Sequence, residues 1–204
     1  IHDNKHITNM NRKSNIELLR IIAMFMILGL HVNYLAVTAP NAQDIATSPL
    51  ISFMRIFMEN ICIVGVNVFV LISGWFGINF KTKGLSSFLF QCIFISLLIF
   101  IAFAVTGEVE VNQRNIMSVF LIYKNAYWFV WAYLFLYILA PVLNSFIDNT
   151  NKTTVKKVII LFFVIQTITF IFTKTDFSKD GYSPLSFIGL YLLARYFRLY
   201  GNNH

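Results

Sequence analysis

Five titratable side chains lie inside or at the ends of otherwise apolar stretches: Glu17, Arg20, His31, Arg55 and Glu59. A charge in hydrocarbon costs at least ~2.5 kcal/mol, so each needs a partner, a route to water or a task. Arg20 and His31 are eleven residues apart. At ~100° per residue this returns to within about 20° of one helix face, with ~16 Å of rise between them. Arg20 would sit at one interface and His31 roughly two-thirds of the way along a ~20-residue helix. Such a track suits a long anionic substrate entering from the Arg20 side. An imidazole can take a proton from a hydroxyl nucleophile or act as the nucleophile itself. The plainer readings are a snorkelling anchor for Arg20 and a neutral, hydrogen-bonded imidazole for His31.

Arg55 and Glu59 are four apart, on one helix face, and can neutralise each other; alternatively they could hydrogen-bond a polar acceptor such as a sugar. Tyr127, Trp128, Trp131 and Tyr133 crowd one end of an apolar run. Amphipathic rings favour the headgroup zone, and stacking of a sugar on Trp128 is the functional alternative. Asn67, Ser73 and Gly74 suit helix packing, and Pro141 predicts a kink. Cys62 and Cys92 both fall in apolar spans, offering neither a disulfide framework nor metal-ligand spacing, so no metal site is expected.

The elements that must position these residues are membrane helices. The 204 residues are 57% hydrophobic and 12% charged, whereas a soluble domain needs roughly 25% charged residues to coat its surface. The mean hydropathy is +0.68. The apolar blocks lack the period-two alternation of a transmembrane β-barrel. The fold class is therefore all-α, a polytopic transmembrane helical bundle. Six spans are expected, near 18–36, 56–77, 88–105, 127–146, 158–172 and 185–200. Residues 36–52, 106–115, 148–157 and 174–184 read as inter-helix loops, and residues 1–204 as a single membrane domain.

Lys5, Arg12 and Lys13 precede the first span; Lys81 and Lys83, then Lys152, Lys156 and Lys157, then Arg195 and Arg198 fall at every second connection. The positive-inside rule makes that face, and the N-terminus, cytoplasmic in a multi-pass protein of the cell membrane. The net charge of +7 then reads as inner-face anchoring beside lipid, with no nucleic-acid partner. The first span is too long for a cleaved signal and should stay as an anchor. Met10, followed by Asn11, Arg12 and Lys13, is an expected start, with residues 1–9 upstream of it.

Three stretches resemble the acyltransferase-3 family of integral-membrane polysaccharide O-acyltransferases. Asn15-Ile-Glu-Leu-Leu-Arg20 running on to Ile27-Leu-Gly-Leu-His31 is similar to the family's pattern of Arg, ten residues, His. Gly65-Val-Asn-Val-Phe-Val-Leu-Ile-Ser73-Gly74-Trp75-Phe76 resembles its aromatic-rich stretch ending in Ser-Gly. Tyr127-Trp128-Phe129, then Tyr137-Ile-Leu-Ala-Pro141-Val-Leu-Asn144, resembles its third segment.

The resemblance implies transfer of an acyl group, often acetyl, from acyl-coenzyme A to a hydroxyl of a cell-surface or lipid-linked carbohydrate. No bound cofactor is implied, since acyl-CoA is the substrate. His31 would be base or acyl relay, and Arg20, with Lys81 and Lys83, would bind the donor. Many relatives carry arginine where Lys81 and Lys83 stand; lysine meets phosphate as a point charge without the planar fork. Arg55, Glu59 and Trp128 would face the acceptor. Family members usually have about ten spans, so this chain is expected to be the N-terminal part of a longer protein. Two other readings fit the same residues: a transporter or flippase for a lipid-linked sugar, with His31, Arg55 and Glu59 lining a pathway, or an inactive membrane scaffold.

Overall fold

The computed structural model describes residues 14–33, 38–122, 127–173 and 183–201. Among them there are helices and connections but no strand. The order is α1 (Ser14–His31), α2 (Ala42–Thr47), α3 (Pro49–Cys62), α4 (Gly65–Phe76), α5 (Thr82–Val105), α6 (Gln113–Val119), α7 (Trp128–Asp148), α8 (Lys152–Thr173) and α9 (Pro184–Tyr200). The chain divides into two compact units, Ile1–Ile72 and Ser73–His204.

Among the described residues, four helical stretches are long and apolar enough to cross a membrane: Pro49–Phe76, α5, α7 and α8. The six expected spans thus resolve into these four and two shorter helices, α1 of 18 residues and α9 of 17. The helices run past the limits that hydropathy sets. α5 begins at Thr82 and α8 at Lys152, because a lysine stem can lie along the helix while its ammonium reaches water. The loop expected over 148–157 shrinks to 149–151. The loop expected over 36–52 contains α2 and the start of α3, where Pro49 occupies the first turn and its missing N–H costs nothing. Asn41 caps α2 by accepting from the Gln43 and Asp44 amides at 2.8 Å. The expected span 56–77 is two helices, interrupted at Ile63 and Val64.

In the first unit α1 packs on α3, and small residues set the approach. A Cβ on Gly29 would stand 3.2 Å from the Cys62 sulfur; one on Gly65 would stand 3.0 Å from the Ala23 carbonyl oxygen and from Met26 Cβ. Such seams let backbones meet where no hydrophobic drive operates between helices.

In the second unit α9 lies against both α7 and α8. Ile147, Val155, Ile159 and Leu192 form a buried cluster there. Tyr191, Phe187 and Leu136 are also fully enclosed, whereas α5 has no buried residue. The Ser-Gly stretch of α4 meets α9 closely: a Cβ on Gly74 would stand 2.7 Å from the Tyr191 carbonyl oxygen and 2.9 Å from Ala194 Cβ. Backbone at that distance cannot move aside cheaply. Gly74→Val is therefore expected to destabilise the protein by about 1–3 kcal/mol, read as a lower unfolding midpoint in detergent; an unchanged midpoint would refute the close approach.

Candidate functional site

The first unit holds Arg20, His31, Arg55 and Glu59, and the second holds Lys81, Lys83 and Trp128. Arg20 and His31 are both on α1, as the spacing requires, and Arg20 Nη1 meets Glu17 Oε1 at 3.3 Å within the same helix. That pair partly neutralises Arg20 and leaves its side chain 39% exposed. His31 is exposed at the end of α1, with Nδ1 2.7 Å from the Ile27 carbonyl oxygen. A carbonyl only accepts, so Nδ1 carries the hydrogen and, in the neutral ring, Nε2 carries the lone pair. The bond fixes the tautomer in which the outer nitrogen is the base.

Beyond His31 the helix widens into a π-type turn at Val32 and Asn33. Asn33 Nδ2 donates to Glu59 Oε2 at 3.2 Å and to the Arg55 carbonyl at 3.3 Å, tying the turn to α3. Arg55 donates to the carbonyl of Thr38. The expected Arg55 and Glu59 positions are thus joined to the end of the His31 helix through Asn33, a residue the sequence reading passed over. Asparagine two residues beyond an intramembrane histidine was the available signal.

In the second unit a short connector, 77–81, links α4 to α5 and carries Lys81; Lys83 follows in the first turn of α5. Both lysines are exposed. The connector's backbone is held by side chains of α7 and α9. The Ile78 N–H donates to the Tyr191 hydroxyl oxygen at 2.9 Å, that hydroxyl donates to Asn144 Oδ1 at 2.7 Å, and Asn144 Nδ2 donates back to the Ile78 carbonyl at 3.1 Å. Three hydrogen bonds close a ring. Tyr137, two turns before Asn144 on the same face of α7, accepts from the Lys81 N–H at 3.1 Å and lies 3.2 Å from the Lys81 carbonyl. These contacts give the Tyr137 to Asn144 segment a physical meaning, since both residues grip the strip that presents Lys81.

The same end of this unit gathers other basic residues. Arg195 lies against Gly77, Arg198 stands over the Trp75 ring at 5.4 Å, and Lys152 Nζ is 3.5 Å from the Tyr200 carbonyl. The lysines and arginines placed together by alternate connections do share one end within this unit. Lys5, Arg12 and Lys13 lie outside the described residues.

Trp128 starts α7 and packs on Phe129 and Phe187, with ring centroids 6.0 and 6.2 Å apart. Trp131 Nε1 donates to the Leu121 carbonyl at 3.0 Å, and Tyr127 accepts from Ser96 at 3.0 Å. These aromatics all have partners within the second unit.

Tyr191→Phe removes one member of the ring and leaves the Ile78 amide without its acceptor, at an expected cost of about 1–3 kcal/mol. Asn144→Leu should cost a similar amount. The double variant should lose clearly less than the sum, because both act on one network; strict additivity in detergent unfolding would show that the ring is not a unit.

The family profile described as "Acyltransferase domain", Acyl_transf_3, matches residues 13–204. No curated protein and no solved structure gives a significant match. The match reaches into both units and covers every helix among the described residues. The chain belongs to the acyltransferase-3 family and is a multi-pass membrane protein of that group.

Proposed function

We propose that the protein moves an acyl group, acetyl in the simplest case, from acyl-coenzyme A to a hydroxyl of a cell-surface or lipid-linked carbohydrate. It would do so in the cell membrane with its N-terminus in the cytoplasm. The observation that carries this reading is His31, at the end of a helix whose same face bears Arg20, with Nδ1–H committed to the Ile27 carbonyl and Nε2 left as the base.

In the direct form of the reaction, Nε2 takes the proton of the acceptor hydroxyl as its oxygen attacks the thioester carbonyl. The tetrahedral intermediate collapses, the carbon–sulfur bond breaks and the imidazolium returns the proton to the departing thiolate. In the relay form, Nε2 itself attacks and coenzyme A leaves as the thiolate; the acyl-imidazolium then passes its group to the hydroxyl, whose proton ends on the thiolate. Both forms balance without a metal or a redox cofactor. Arg20, Lys81 and Lys83 serve the donor's phosphates, since cations recognise phosphate and lysine does so as a point charge. Arg55, Glu59 and Trp128 serve the acceptor, the first two through hydrogen bonds to sugar hydroxyls and Trp128 by stacking.

The test is the O-acetyl content of surface glycans in cells carrying the gene, its deletion, or His31→Ala at matched membrane levels. Loss of acetyl esters in both altered strains is expected, with His31→Ala lowering transfer by at least ~100-fold, the scale of a removed general base. Unchanged esters in the deletion would move the assignment to transport or another acceptor. Loss in the deletion alone would keep acyl transfer and discard His31.

Arg20→Ala should act differently, raising the acyl-CoA concentration needed for half-maximal transfer about tenfold while leaving the saturated rate within a few-fold. A fall in saturated rate with unchanged donor dependence would contradict its role.

A further inference from the structure

The basic end of the second unit contains a feature that inner-face anchoring does not explain. An anchoring arginine extends its guanidinium to water and headgroups. Arg195 is instead folded against the backbone of Gly77: a Cβ there would stand 2.9 Å from Nη1 and 3.0 Å from Cζ. Gly77 has φ +76, the left-handed conformation that glycine alone adopts freely, so the connector makes room for this guanidinium twice over. Arg195 Nε is buried and, among the described residues, has no hydrogen-bond partner. Among the described residues no carboxylate lies within 4.0 Å of it. Arg198, one turn further on α9, brings a second guanidinium over Trp75, and Lys81 follows on the same connector.

Two like charges at i and i+3, one with a buried donor unmet, carry an uncompensated electrostatic and desolvation cost. A bound anion would relieve it, and planar forked donors match phosphate oxygens. We propose that Arg195 and Arg198, with Lys81 beside them, form a phosphate-binding site at the α4–α5 connector. Resting on the acyl-CoA reading above, its occupant is a phosphate of the donor's nucleotide portion. Arg195 then fixes the nucleotide, and the hydrogen-bond ring at Ile78 keeps the connector in register beneath it.

The experiment measures coenzyme A binding to the full chain in phosphatidylcholine nanodiscs, for the wild type, Arg195→Gln, Arg195→Lys and Arg198→Gln. Pantetheine, which lacks every phosphate, is the control ligand. Arg195→Gln should weaken coenzyme A by about 10–100-fold, the worth of a charge-assisted hydrogen bond, and leave pantetheine unchanged. Arg195→Lys should fall between. If Arg195→Gln does not fold, Arg198→Gln, whose side chain is exposed, should show the same selective loss, smaller in size.

Equal coenzyme A affinity in the wild type and in both glutamine variants would overturn the site while leaving the acyl-CoA reading intact. Loss of retained phosphatidylglycerol in Arg195→Gln, with coenzyme A unaffected, would reassign the arginine to a lipid headgroup and overturn the donor assignment. If the wild type does not bind coenzyme A, the acyl-CoA reading is what fails. Inorganic pyrophosphate then decides the site alone: binding that Arg195→Gln abolishes sustains it, and no binding removes it.

Discussion

Peptide groups that leave a helix among apolar neighbours must find other partners or cost several kcal/mol each, and this constraint organises the second unit around 77–81. The Gly77 N–H turns back to the Ser73 carbonyl at 3.0 Å, Ile78 is served on both sides by Tyr191 and Asn144, and Lys81 by Tyr137 and the Leu85 amide. Side chains of α7 and α9 thus reach both groups of Ile78, both groups of Lys81 and the carbonyl of Asn79. The helices are placed where they can meet that demand, and the tight Gly74 contact with α9 is part of the same fit. Position and chemistry are linked here, because the strip that needs the partners also carries the basic residues.

The first unit answers the same constraint with less machinery. α1 and α3 come close through glycine and a buried cysteine, and Asn33, just past α1, adds two long-range hydrogen bonds to α3. Among the described residues, the His31 imidazole is hydrogen-bonded to its own helix alone. A base held by a local bond keeps its ring orientation whatever the neighbouring helices do, while its outer nitrogen stays open to a reacting group.

The helices were legible because their residues are apolar on nearly every face, and hydropathy needs no other signal. Their ends were less so. Lys152, Lys156 and Lys157 mark the edge of the hydrocarbon rather than the edge of the helix, and α8 continues through all three. The break at Ile63 and Val64 was hidden, since neither residue is a helix breaker and both are as apolar as their neighbours. Arg20 and His31 could be paired from spacing alone because they share a helix. Tyr191 and Arg195 could not be related to Ile78 and Gly77, because no local pattern reports a contact between such distant positions. Tyr191 read as one aromatic among many, and Arg195 as one inner-face cation. Asn144, two turns after Tyr137, and Gly77, ending a helix, were the available hints.

The hydrogen-bond ring also has a consequence in time. Ile78 and Tyr191 are 113 residues apart, so at roughly 5–20 residues per second the ribosome delivers the tyrosine about 6–23 s after the isoleucine. Until then the Ile78 N–H lacks its native acceptor, although Asn144, the partner of the Ile78 carbonyl, is already made. The Ile78 end of the ring can close only after α9 arrives. Closure of the second unit around the connector therefore waits for α9, although α4, α5 and α7 are made well before it.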